Sequence, residues 1–209
     1  MTGPVEAPRW RRLEPDARRE QILECATELF GERPYAAVST GEIAREAGVA
    51  RGLLNHYFGT KRDLYLEVVR RMVLLPELPD FGDAGIARRP LRDRVARSVD
   101  WFLDLVSEHA RTFVAVTGAE GVGDDPQIER ILAAADDAAA RKVLLMVGLD
   151  PDDASGRAVI RAYGGLVKAA VREWVRAETL TRAQVHRLLS QALVTIVRDV
   201  LPELNEERA

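Results

Sequence analysis

Apolar side chains recur along most of the chain at the spacing of one helical face. In the N-terminal third these stripes predict four helices, over about residues 16–30, 40–47, 49–58 and 60–75. Gly31, Gly48 and Gly59 follow the first three, as helix-ending glycines do. Ser39 and Glu42 have the spacing of a capping box at the start of the second.

The rest of the chain carries the same periodicity and no convincing strand. It predicts five more helices, over about residues 91–106, 111–119, 126–147, 159–177 and 182–201. Asp125 before Pro126, and Thr181 with Gln184, mark two of the starts. The stretches 76–90, 121–125 and 149–156 predict loops. The fold class expected is therefore all-α.

The chain divides into three segments. Residues 1–15 are predicted to be a flexible N-terminal arm, 16–75 a three-helix module with a bracing helix, and 76–209 a larger helical domain. Arg9, Arg11 and Arg12 surround Trp10 in the arm. That cluster either touches DNA phosphates or a minor groove, or it is a solvated tail.

The segment from Thr40 to Phe58 has the features of a helix-turn-helix. Ala44 is small where two steeply crossed helices meet, and Gly48 tolerates the positive φ of a tight turn. The inward positions are expected to be Ile43, Ala47, Val49, Leu54 and Tyr57. The opposite side of the second helix can then enter a DNA major groove.

That outward side carries residue types that read bases. Arg51 can bond guanine N7 and O6, Asn55 can pair with adenine or bond a phosphate, and Gly52 lets the backbone approach DNA. His56 can donate to a base or phosphate oxygen, and Leu53 can meet a thymine methyl. With the positions suited to phosphates, the candidates are Ser39, Thr40, Ala50, Arg51, Gly52, Leu53, Asn55, His56, Tyr57 and Lys61.

Spacing alone also fits a plain helical hairpin with surface Arg and His. However, residues 17–69 contain RREQILECATELFGERPY and STGEIAREAGVARGLLNHYFGTKRDLYLEVV, and the run from Ile43 to Leu64 meets I-A-x-x-A-G-V-[SA]-[RK]-G-x-[LI]-x-x-[YH]-F-x-[ST]-K-x-x-L. This stretch resembles the N-terminal domain of TetR-family transcriptional regulators. Asn55 stands where that family often has tyrosine, so base preference does not carry over.

The resemblance implies a three-helix DNA-binding domain braced by the helix from Thr60, and a C-terminal ligand-binding and dimerisation domain. It implies a homodimeric, ligand-responsive regulator, a repressor in sign, on a palindromic double-stranded DNA operator. Two long final helices with broad apolar stripes, over 159–177 and 182–201, agree with pairing across a two-fold axis. The alternative is that both stripes are used within one subunit.

Charge does not by itself point to DNA. The chain has 30 Lys and Arg against 33 Asp and Glu, a formal charge of -3, so a DNA-binding face requires clustering rather than bulk charge. One cysteine, Cys25, excludes an intramolecular disulfide, and we expect it to be a small core residue in a cytoplasmic protein. No secretory signal or apolar run of roughly 18 residues predicts export or a membrane span.

An unknown small-molecule effector needs apolar walls in the C-terminal domain. The candidates, each also an ordinary core residue, are Trp101, Phe102, His109, Phe113, Met146, Tyr163 and Trp174. No metal site, cofactor or catalytic constellation is predicted, so an enzyme is disfavoured. The competing hypothesis is a helical protein-interaction module, in which Arg51, Asn55 and His56 would be dispensable.

Overall fold

The computed structural model describes residues 15–74, 89–118 and 125–206, and this part of the chain is helical without strands. The predicted all-α fold is confirmed. The predictions for residues 1–14, 75–88 and 119–124 lie outside the described residues. The helices are α1 Pro15–Glu32, α2 Thr40–Glu46, α3 Arg51–Phe58, α4 Lys61–Val73, α5 Leu91–Glu108, α6 Ala110–Thr117, α7 Pro126–Val147, α8 Ala154–Val175, α9 Arg182–Thr195 and α10 Leu201–Glu206, with a 3-10 turn at Tyr35–Ala37.

Side-chain caps fix several helix starts. Thr60 and Thr181 each form a complete capping box, with Asp63 and Gln184 respectively. The Asp125 carboxylate accepts from the Gln127 amide at the start of α7. These three predicted starts are confirmed.

Three predicted boundaries are wrong. α1 continues through Gly31 to Glu32, because Gly31 packs within the helix against another element instead of ending it. α3 begins at Arg51, two residues later than the periodicity predicts. α8 begins at Ala154 rather than 159, because the Asp153 carboxylate accepts from the backbone amides of Ser155 and Gly156 and caps the helix.

The last helical segment is interrupted by a π-helical turn over Ile196–Val200 between α9 and α10. Pro202 lies two residues after the end of the turn. Proline has no N–H to donate to the carbonyl four residues back, and its ring crowds that carbonyl. The wider π turn accommodates the proline without ending the helix.

The first apolar core lies among α1, α2, α3 and α4. Of the residues that the helix-turn-helix pattern placed inward, Ile43, Ala47 and Leu54 are buried in it. The other two, Val49 and Tyr57, are half-buried and pack against it. Val116 of α6 and Ile128 of α7 belong to the same cluster. The N-terminal module therefore shares its core with the next domain.

The second apolar core lies among α5, α6, α7, α8 and α9. Leu103, Val171 and Val185 are each 0% exposed within it. The Tyr163 hydroxyl donates to the Leu189 carbonyl at 3.0 Å, joining α8 to α9. Burial raises the pKa of Tyr163, so its phenol stays protonated as this donor.

Specific polar contacts join the two modules. The buried Thr112 hydroxyl on α6 donates to the Thr27 carbonyl on α1 at 2.8 Å. Arg62 at the start of α4 donates to both carboxylate oxygens of Asp125, at 2.9 and 3.0 Å. These bonds connect α6 and the start of α7 to the N-terminal module.

Candidate DNA-binding surface and effector cavity

The turn between α2 and α3 is built as the sequence predicts. Gly48 has φ of +61°, a left-handed conformation that favours glycine. The Val49 amide donates to the Ala44 carbonyl at 2.9 Å, and Ala44 is 2% exposed. The small residue and the turn glycine bring α2 and α3 together as a helix-turn-helix.

α3 has one buried and one exposed side. Leu54 and Phe58 anchor it in the first core. Arg51, Asn55 and His56 are exposed on the other side. The remaining members of the predicted recognition surface on α3 and its N-cap are the exposed Ala50 and Gly52 and the half-buried Leu53 and Tyr57. The predicted outward face is present, and its contact with DNA stays a prediction.

Gly52 leaves open space on this face. A Cβ built there would meet nothing within 4 Å. Glycine is therefore not required there by the packing of the protomer, and the backbone of α3 is left bare where a groove edge would approach.

The start of α2 supplies backbone donors beside α3. The Ser39 hydroxyl accepts from the Glu42 amide at 3.1 Å and caps the helix. Only this half of the predicted capping box is present among the described contacts, because the Glu42 carboxylate pairs with Arg33 at 2.8 Å. The Ser39 and Thr40 backbone amides lie at the positive end of α2, where an anion is favoured.

Lys61 is positioned by Tyr35. Its ammonium donates to the Tyr35 carbonyl at 2.5 Å and lies 4.1 Å from the centre of the Tyr35 ring. Burial lowers the pKa of Lys61 from its usual value. An ammonium has three N–H donors, so the group is oriented at the start of α4 with capacity for a phosphate.

The acidic side chain of α2 nearest its start, Glu42, is paired with arginine. The hydrogen bond and charge of Arg33 lower the pKa of Glu42, with help from the Ser39 cap and Arg45. That acid is therefore ionised but paired. Arg45, whose side chain is 76% exposed, adds a cation on the same helix.

A cavity of about 150 Å³ lies in the second core, among α5, α6, α7, α8 and α9. Five predicted effector residues line it: Trp101, Phe102, Phe113, Met146 and Tyr163. His109 and Trp174 do not line it. The His109 ring lies 3.3 Å from the Glu24 carboxylate on α1, and Trp174 packs at the edge of the second core.

The cavity also touches elements of the N-terminal module. Val73 at the end of α4 is part of its wall. Phe113 and Thr117 come from α6, which packs against both α1 and α4. A molecule in the cavity therefore contacts residues directly connected to the helix-turn-helix.

Sequence reasoning did not find the contacts that join the two modules. Thr27 and Thr112 are 85 residues apart, and Arg62 and Asp125 are 63 apart. Neither pair forms a local motif, because its two residues are far apart in the sequence. Arg62 and Asp125 each lie at the start of a different helix, α4 and α7, and nothing in the sequence links the two starts. Cys25, expected in the core, is half-buried, and burial together with nearby glutamates raises the pKa of its thiol.

Comparison with known proteins agrees with this geometry. Residues 22–68 match the model of the family described as bacterial regulatory proteins, tetR family. The chain is 30% identical over 162 residues to the HTH-type transcriptional activator FasR of Mycolicibacterium smegmatis, covering 75% of this chain and 70% of FasR. It is 38% identical over 85 residues to the HTH-type transcriptional regulator BetI of Rhizobium meliloti, covering 40% of each chain.

Among solved structures, a tetR-family transcriptional regulator from Streptomyces coelicolor superposes with a TM-score of 0.69 at 24% identity, over 90% of this chain and 85% of that one. By its class, the protein is a helix-turn-helix transcriptional regulator. The chain belongs to the TetR family. Within the described ranges, no helix has the length and apolar character needed to cross a bilayer.

Proposed function

We propose that the protein is a ligand-responsive repressor that binds a palindromic operator as a homodimer, acting in the cytoplasm where its DNA is. The observation that carries the proposal is the exposed face of α3, with Arg51, Asn55 and His56 around the bare backbone at Gly52. Arg51 and Asn55 would read base edges, while Lys61 and the α2 amides would hold phosphates.

A homodimer supplies the two recognition helices that a palindrome needs, about 34 Å apart on one face of the duplex. The surface that we assign to the dimer lies on α8 and α9. Ala158, Ala162 and Gly165 are exposed at the spacing of one side of α8, and Leu188 of α9 is 40% exposed. Small side chains allow two helices to approach closely, and pairing would bury the leucine.

We expect Gly165→Arg to separate the dimer. A Cβ at Gly165 meets nothing within 4 Å, so the protomer accommodates the side chain, but pairing would bury an unmatched charge. Dimerisation should weaken by about 100-fold or more, as measured by sedimentation velocity. Ala138→Arg is the matched control, because Ala138 is an exposed small residue inside α7. Unchanged association of Gly165→Arg would place the dimer elsewhere.

The effector would act by favouring one placement of the N-terminal modules. The cavity wall includes Val73 of α4 and Phe113 of α6. α6 is hydrogen-bonded to α1 through Thr112. A ligand that binds one arrangement of α4 and α6 more tightly shifts the population toward that arrangement, and reciprocally DNA changes the affinity for the ligand.

Arg51→Ala and Lys61→Ala test the assignment of roles, on a duplex selected by the wild-type protein. Lys61→Ala should weaken binding to all sequences and reduce the salt slope by about 1 per subunit, because it removes a phosphate contact. Arg51→Ala should lower the preference for the selected base by about 5- to 150-fold. Binding titrations at several salt concentrations separate the two effects. Unchanged affinity in the double variant would favour the protein-interaction alternative.

The sign of regulation has its own test. FasR is named an activator, whereas we propose repression. A promoter carrying the selected operator between its polymerase contacts should fall in activity when the protein is expressed. A rise would assign activation while leaving DNA recognition intact.

A further inference from the structure

The charged side chains around the effector cavity form ion pairs or other polar contacts. Lys168 and Asp136 form an ion pair at 2.7 Å, and Arg161 pairs at 2.9 Å with Asp137, whose carboxylate also pairs with Arg141 and Arg157. Lys142, which also lines the cavity, has a partner as well. The side chains of Lys168, Asp136 and Arg161 are partly exposed, whereas most of the other residues that line the cavity are apolar. A charged ligand would lose its hydration against that apolar wall.

Ser98 on α5 is the polar exception within that wall. It lines the cavity and is 8% exposed. Its hydroxyl is buried and has no hydrogen-bond partner among the described residues. A buried hydroxyl without a partner is unfavourable, and a serine hydroxyl can turn among three staggered positions to meet one.

Among the described residues, the other buried polar side-chain atoms without a hydrogen-bond partner belong to Arg94, Arg157 and Ser190. None of these residues lines the cavity. Of these four residues, Ser98 alone lines the cavity.

We propose that the effector is an uncharged lipophile with one oxygen atom, a carbonyl or hydroxyl, which hydrogen-bonds to the Ser98 hydroxyl. The inference rests on the proposed function, in which this cavity holds the effector. The volume of about 150 Å³ is sufficient for an aromatic ring, with the remainder of a longer molecule extending through the open edge.

Four probes that share one phenyl ring test this class: ethylbenzene, acetophenone, benzoate and benzylammonium. Each is titrated against the full chain without DNA, following the tryptophan fluorescence, to which Trp101 on the cavity wall contributes beside Trp10 and Trp174, and, independently, the rise in Tm. We expect ethylbenzene and acetophenone to bind and both ions to bind at least about 100-fold more weakly.

Ser98→Ala isolates the hydrogen bond. The substitution should weaken the binding of acetophenone by about 3- to 10-fold and leave the binding of ethylbenzene unchanged or tighter. Ser190→Ala is the matched control, since it removes a second unpaired buried hydroxyl that does not line the cavity, and it should alter neither affinity. Gly164→Leu should abolish binding of both, because the glycine lines the cavity and a Cβ there meets nothing within 4 Å.

Three results would overturn the proposal: benzoate or benzylammonium binding more tightly than acetophenone, an equal effect of Ser98→Ala on both uncharged probes, or no binding of either uncharged probe. None of these measurements uses DNA. Their failure therefore leaves operator binding standing, and failure of operator binding leaves the ligand preference measurable.

Discussion

Gly52→Glu is expected to abolish operator binding while leaving the fold intact. Gly52 is the second residue of α3, where an acidic side chain is favourable to the helix, and a Cβ there meets no neighbour. On DNA the same side chain would put a negative charge beside phosphates and block the groove. With two recognition helices per duplex, we expect affinity to fall by about 100-fold or more in a gel-shift or anisotropy titration.

A matched variant separates position from charge. Ala183 is the second residue of α9 and is exposed, so Ala183→Glu makes the same charge change at the same helix position. It should retain operator affinity. Equal losses in both variants would mean that net charge, rather than the α3 face, governs binding.

Gly31→Ala is expected to destabilise the junction of the two modules. The added Cβ would lie 2.2 Å from Thr112 Oγ1 and 2.9 Å from the Thr112 backbone nitrogen, so the backbone of α6 has to move. Overpacking of this kind costs about 1–3 kcal/mol, and the helix preference of alanine returns at most about 1 kcal/mol. Urea unfolding should show the loss, whereas Gly52→Ala, which meets no neighbour, should not destabilise.

A double-mutant cycle that combines Gly31→Ala with Thr112→Ala tests the contact between these two residues. That change removes the nearest clashing atom, so Gly31→Ala should cost less in its background than in wild type. Additive effects would show that the cost arises elsewhere in α1. A large coupling would show that the cost arises from contact with Thr112 where α1 crosses α6.

Local sequence features determined most of the N-terminal module. Helix caps at Ser39 and Thr60, the turn at Gly48 and the inward apolar positions depend on neighbours within a few residues, so periodicity and capping rules find them. Gly31 was read wrongly for the same reason. A glycine after an apolar stripe usually ends a helix. Here Gly31 lies within the helix, because Thr112, 81 positions away in sequence, leaves no room for a side chain at Gly31.

The candidate cavity could be predicted in part. Large apolar residues such as Phe102 and Met146 face a common interior, and the structure places them on the cavity wall. Residue type alone could not separate them from His109, which pairs with Glu24, or from Trp174 at the edge of the core. Which side chains meet across α5, α7 and α8 depends on helix packing angles, and Ser98 has no distinguishing local motif.

Selection of bound duplexes from a random DNA pool by the purified protein, at two salt concentrations, tests the central claim most directly. We predict enrichment of an inverted repeat whose half-sites are one helical turn apart or a multiple of it, with selectivity that persists at the higher salt. Gly52→Glu should enrich nothing under the same conditions. Failure of the wild-type protein to enrich any sequence, even at low salt, would contradict the account.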